Sequence, residues 1–166
     1  MHARLALGAG ADRLVDVVTT HLQAGQSAAA KAVRSRQLAS LGEFVESIRS
    51  DDRACIVCGD FNVDALADEP NEYRALREAL PGFEDLGEAE NAPTFAPRAD
   101  MNALAHRFDA HEPVQRIDCV FFRQPADGSI VPERLERVLD TPLVAERNPL
   151  LFASDHYGLR ATFRVR

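Results

Sequence analysis

The sequence predicts a mixed α/β domain, and three observations predict it. Short runs rich in β-branched and apolar residues recur along the chain, helical spacing of apolar residues separates the early runs, and the later runs follow one another without an intervening helix. Ala3–Gly8 and Leu14–Thr20 read as two strands of a hairpin, joined by the small and polar segment Ala9–Arg13. From Ala28 to Ser50 the residues Ala32, Val33, Leu38, Leu41, Val45 and Ile48 recur at mostly helical spacing, which predicts a helix. Ala54–Cys58 is a continuous apolar run ending in Gly59, the pattern of a strand buried on both faces. Glu72–Leu80 reads as a second helix, closed by Pro81-Gly82. Asn91–Pro113 is rich in Pro, Asp, Asn and His and has little periodicity, so a long loop is expected there. Arg116–Arg123, Ile130–Leu139 and Gly158–Val165 are the later strands, and the sheet that collects them is mixed.

Composition bounds the function. With 166 residues, 46% of them apolar, the chain suffices for one domain, residues 1–166, with its own core. No apolar run approaches the roughly 18 residues of a membrane span, and Met1–Gly10 lacks a cationic-then-apolar leader pattern. A net charge of -7 and a single lysine, Lys31, disfavour non-specific nucleic-acid binding, which requires clustered cations. Cys55 and Cys58 form a CxxC inside a strand, where residues three apart point to opposite faces. With Cys119 they are expected to be buried thiols in a reducing, cytoplasmic setting, with export left open.

Four segments place polar, chemically capable side chains at or near the end of an apolar run: Thr20-His21-Leu22-Gln23, Gly59-Asp60-Phe61-Asn62, Arg116-Ile117-Asp118 and Ser154-Asp155-His156. Gathered at one sheet edge they would form a polar cluster. Asp60 can bind a hard cation or orient water, and the Asn62 amide can donate to a phosphate oxygen. Gly, Asp and Asn are equally turn formers. Asp155-His156 suits a general base beside a carboxylate, or a Ser-Asp turn followed by an exposed histidine. His21 ends a β-branched run, where a lone histidine is commonly structural. Asp118 enters a strongly apolar strand and needs a partner to offset its desolvation, for which His156 is the candidate.

Taken in order, the four segments resemble the second half of the endonuclease/exonuclease/phosphatase superfamily. Ala92-Pro93-Thr94-Phe95 followed by Met101-Asn102-Ala103-Leu104-Ala105 is similar to the segment preceding the Ile-Asp strand in its neutral sphingomyelinase-like bacterial members. The resemblance implies a four-layer α/β sandwich of mixed, largely antiparallel sheets flanked by helices, with the N-terminal half of the fold outside this chain. It implies that His156 is the general base or stabilises the transferring phosphoryl group, that Asp118 orients it, and that Asp60 positions water. Asn62 and His21 would hold the phosphate, and Asp155 would help bind Mg2+ or another divalent cation such as Mn2+.

The family's first-half asparagine and metal-binding glutamate have no counterpart here. The expectation is therefore weak or absent activity in isolation, and association of an exposed apolar face with a missing N-terminal half or with a second copy. The implied substrate is a phosphate ester, foremost a lipid headgroup. Nuclease or inositol-phosphate phosphatase chemistry on the same scaffold, and a non-catalytic binding module, are the alternatives.

Overall fold

The computed structural model describes residues 1–7, 13–68, 71–143 and 151–166. Strands β1 (His2–Leu7) and β2 (Arg13–His21) pair antiparallel, as the sequence predicts; the connection between them, including most of the expected turn, lies outside the described residues. Helix α1 (Ala28–Ser47) then returns the chain to β3 (Ala54–Asp60), which pairs parallel to β2. Helix α2 (Asn71–Ala79) and the two-residue strand β4 (Glu84–Asp85) follow, then α3 (Ala103–Asp109) and β5 (Asp118–Arg123). The five strands form one mixed sheet in the order β1-β2-β3-β5-β4. The last two strands, β6 (Ile130–Val138) and β7 (Gly158–Val165), make a separate antiparallel ribbon.

The expected long loop over 91–113 is corrected: it contains α3. Asn102 caps that helix, its Oδ1 accepting from the backbone N–H groups of Leu104 and Ala105 at 3.1 Å each. The turn-forming composition on both sides conceals a helix of only seven residues, too short to display periodicity. β4 went unread for the same reason, being two residues long.

Helix α1 starts where Ser27 accepts from the backbone N–H of Ala30 at 3.1 Å. Its buried stripe is Ala30, Arg34, Leu38, Leu41 and Val45, each three or four residues from the last. Leu38, Leu41 and Val45 pack with Leu76 and Leu80 onto Val18, Cys55, Val57, Cys119 and Phe121 of the sheet. Arg34, with no exposed surface, is the apparent misfit in this stripe. Its guanidinium binds both carboxylate oxygens of Glu72 at 2.9 and 3.0 Å and the carbonyls of Gln23 and Gly25, tying α1 to α2 and to the loop after β2.

The opposite face of the sheet is built from the alternate residues. Val15, Ala54 and Phe122 are buried there against Ile130 and Phe163 of the β6–β7 ribbon. The ribbon reaches the sheet through β5, while Leu5 on the far edge is 48% exposed. Cys55 and Cys58 point to opposite faces, as predicted, and all three cysteines are free. Among the described residues no helix is long and apolar enough to cross a membrane.

Candidate functional site

Three strands align the titratable residues in a single row. Within the sheet His21 pairs with Asp60, and Asp60 with Asp118. Paired residues on neighbouring strands present their side chains to the same face, here the face opposite the helices. The adjoining row is Thr19, Cys58 and Val120, and the next is Val17, Ile56 and Phe122. The polar row therefore terminates an apolar face.

The approach of β2 to β3 depends on Gly59. Its φ is +138°, and a Cβ at that position would lie 2.0 Å from the carbonyl oxygen of Thr20. Only glycine tolerates this geometry, so the residue before Asp60 sets how closely His21 and Asp60 can meet. Their Nε2 and Oδ2 atoms are 3.3 Å apart. Beyond the strand the chain turns at once. Asp60 Oδ1 accepts from the N–H of Asn62 at 2.8 Å, Asn62 takes a left-handed φ of 51°, and its Nδ2 donates to the Leu22 carbonyl at 3.0 Å. The Gly59–Asn62 segment is thus both a turn and part of the site.

His156 arrives from the other end of the chain. Its Nδ1 lies 2.8 Å from Asp118 Oδ2, which is the partnership that the desolvation of Asp118 called for. The Phe95 ring packs against the imidazole with centroids 5.0 Å apart, and residues 95 and 156 form an isolated backbone bridge. Ser154 Oγ accepts from the N–H of His156 at 3.1 Å and donates to Asp155 Oδ1 at 3.0 Å, fixing the turn that carries the histidine.

His21, Asp60, Asn62, Asp155 and His156 line one open cleft of about 250 Å3, and Asp118 holds His156 in its wall. Five predicted residues therefore share one surface, with the sixth directly behind. A larger hollow of about 630 Å3 between β2 and α1 contains no carboxylate in its lining. Sequence reasoning missed Phe95, Gln115, Asp109 and Glu112, which also line the cleft. It also passed over the roles of Thr94, whose Oγ1 accepts from the N–H groups of Ile117 and Asp118, and of Asn102.

Burial raises the pKa of the Asp60 carboxyl, aided by the charge of Asp118, and the Asn62 N–H and the two histidines only partly counter it. For His156 burial favours the neutral ring, but the hydrogen bond and charge of Asp118, with Asp60 and Asp155 nearby, prevail and raise its pKa. The imidazole is consequently a stronger proton acceptor than a free histidine.

Ligand atoms from Asp60, Asp118 and His156 all lie within 4.8 Å of one another. A group dominated by carboxylate oxygens fits a hard divalent cation, whose charge would relieve the crowding of Asp60 against Asp118. Asp155, the metal-binding residue expected from sequence, lines the same cleft but stands outside this trio.

The sheet and its flanking helices define a class: nearly the whole chain corresponds to about half of the fold of the endonuclease/exonuclease/phosphatase proteins. Against beta toxin from Staphylococcus aureus it has a TM-score of 0.70 at 20% identity, covering 97% of this chain and 55% of the toxin. Sphingomyelinase C from Streptomyces griseocarneus gives 0.68 at 23%, over 96% and 56%. D. rerio TDP2 complexed with a single-strand DNA product gives 0.64 at 20%, over 92% and 57%. A variant of the Staphylococcus toxin with bound magnesium ions matches at 0.59 and 18%, over 90% and 53%. The chain thus spans little more than half the length of these solved structures. No protein-family model matches it, and no curated protein matches it in sequence.

Proposed function

We propose that this chain carries a hydrolytic site for phosphodiesters, acting on a lipid headgroup of the sphingomyelin type with a divalent cation, Mg2+ or Mn2+. The observation that carries the reading is the His156–Asp118 pair, 2.8 Å apart in the wall of a cleft that also presents Asp60, Asn62 and His21. Asp118 accepts from Nδ1 and leaves Nε2 as the proton acceptor. His156 takes a proton from the attacking water as its oxygen bonds to phosphorus and the bond to the leaving oxygen breaks. Asp60 orients that water, and the free N–H of the Asn62 amide and the His21 ring hold non-bridging oxygens. Asp155, with Asp60 and Asp118 close by, would hold the cation, which when bound polarises the phosphate and offsets charge on the leaving oxygen.

Two features support a lipid headgroup over nucleic acid. Asp109, Glu112 and Asp155 line the cleft together with Asp60, an acidic mouth that suits a zwitterionic headgroup and repels a polyanion. Helix α3, which contributes Asp109, also exposes 66% of Phe108, an aromatic that can rest on a lipid surface. The nuclease reading draws on the TDP2 complex with DNA product.

The test is Mg2+-dependent hydrolysis of sphingomyelin vesicles, single-stranded DNA and an inositol polyphosphate by the same preparation. Slow release of phosphocholine, removed by chelation and by His156→Ala, is expected; the rate is limited because, among the described residues, only Asp60, Asp118 and His156 gather closely enough to hold a cation. Cleavage of DNA alone would overturn the lipid assignment. No hydrolysis of any substrate would overturn the enzymatic one for this chain.

A further inference from the structure

Asn102 lies on a loop remote in sequence from every residue of the polar row, yet it has no exposed surface and uses all of its side-chain hydrogen-bonding capacity. On one side Oδ1 accepts from the N–H groups of Leu104 and Ala105 and starts α3. On the other, Nδ2 donates to the carbonyls of Ser154 and Asp155 at 3.1 and 3.0 Å. Those two carbonyls immediately precede His156. The neighbouring stretch holds the second member of the pair: Thr94 Oγ1 accepts from the N–H of Asp118 at 3.0 Å, and the Thr94 carbonyl accepts from Tyr157 at 2.7 Å. Thr94 and Asn102 thus grip the backbone of Asp118 and the backbone on either side of His156.

We propose that Asn102 is a positioning residue, whose side-chain amide holds the Ser154–His156 turn so that the imidazole meets Asp118. A cap for α3 needs only the oxygen. Ser, Thr or Asp would supply it, whereas the two donors to Ser154 and Asp155 come only from the amide. Without them two half-buried carbonyls lose these partners, and the turn can relax towards solvent. The inference deepens the hydrolytic reading of the site, and its test does not require hydrolysis.

The experiment measures the ring 15N shifts of His156 with the imidazole neutral, in the full chain and in Asn102→Ser. In the full chain Asp118 is expected to hold the Nδ1–H tautomer. Asn102→Ser keeps a cap oxygen and is expected to shift His156 towards the Nε2–H tautomer, while α3 amides stay protected from exchange. As a control, Ala103→Gly weakens the first turn of α3 and leaves the amide in place, so the His156 signature should persist.

An unchanged tautomer in Asn102→Ser would overturn the proposal, as would its loss in both variants, which would reduce Asn102 to a helix cap. Failure of Asn102→Ser to show a cooperative melt would equally overturn it, making the residue part of the core. Where hydrolysis is measurable, kcat is expected to fall at least tenfold in Asn102→Ser, with KM within twofold. A shifted tautomer in a chain that hydrolyses nothing would uphold the positioning role and discard the hydrolytic one.

Discussion

The two faces of the five-stranded sheet are drawn from alternate residues of the same strands, and they are built for different ends. Towards the helices, Val18, Val57, Cys119 and Phe121 are closed over by Leu38, Leu41, Val45 and Leu76. Even the charges on that side are enclosed: Arg116 and Asp85 are both buried, paired at 2.9 Å, with Tyr73 donating to the same carboxylate at 2.5 Å. Towards the ribbon, Val15, Ala54 and Phe122 are buried with Ile130, Val120 is buried beside them, and the face ends in the row His21, Asp60 and Asp118. One face holds the fold together and the other, incompletely covered, carries the candidate site. Substitutions on the two faces should therefore register in different measurements.

The largest expected effect tests the ribbon side by activity. His156→Ala should lower phosphodiester hydrolysis by about 10²–10⁴-fold while moving the melting temperature little. A comparable loss of stability would erase the contrast. Next comes the helix side by stability: Asp85→Ala strands the buried Arg116 guanidinium and should cost about 3–5 kcal/mol in urea denaturation. Loss of hydrolysis without that destabilisation would break the division of labour.

Acid titration gives a smaller effect. Burial of Asp16 opposes its ionisation, but hydrogen bonds from Arg53, Arg4 and His2 prevail and hold its pKa down to about 2. The stability this lends is present above the ordinary carboxylate range and lost as pH falls through about 2, so Asp16→Asn should remove up to about 2 kcal/mol at pH 7. The variant should differ least from the parent at the acid end of urea titrations.

His156 has the opposite sign. Its raised pKa contributes stability that is complete below about 6.5 and fades as pH rises through the folded value. Asp118→Asn should flatten that dependence, and an unchanged pH profile would deny the pair its energetic coupling. Smallest of all, Leu5→Ala on the open face should alter stability by no more than about 0.5 kcal/mol. A core-sized loss would show that this face is covered in solution.

The residues of the cleft were more legible in the sequence than the scaffolding that aims them. Asp118 announced its need for a partner by entering an apolar strand, and His156 meets it at 2.8 Å. The run from Ala54 was legible as a strand because it is continuously apolar, and the run from Gly158 because its residues alternate. Helix α3 was hidden because seven residues give no period, and Asn102 because an asparagine among prolines and aspartates reads as a turn former. That it donates to Ser154 and Asp155, more than fifty residues away, is a property of the folded chain alone. Asn62 shows the intermediate case, since the same residue makes the turn that its composition suggests and lines the cleft that its neighbours suggest.

The alternation that separates the two faces also locks them together. Asp60 and Val57 stand an odd number of places apart on β3, so inserting one residue between Gly59 and the start of that strand, or slipping its pairing by one, exchanges them. Carboxylates would enter the helix-side core as valine left it. Misplacing this row by one position puts carboxylates into the core, so the register of β3 acts as a proofreading step: the stability of the fold favours copies whose acidic residues stand on the face that bears the cleft.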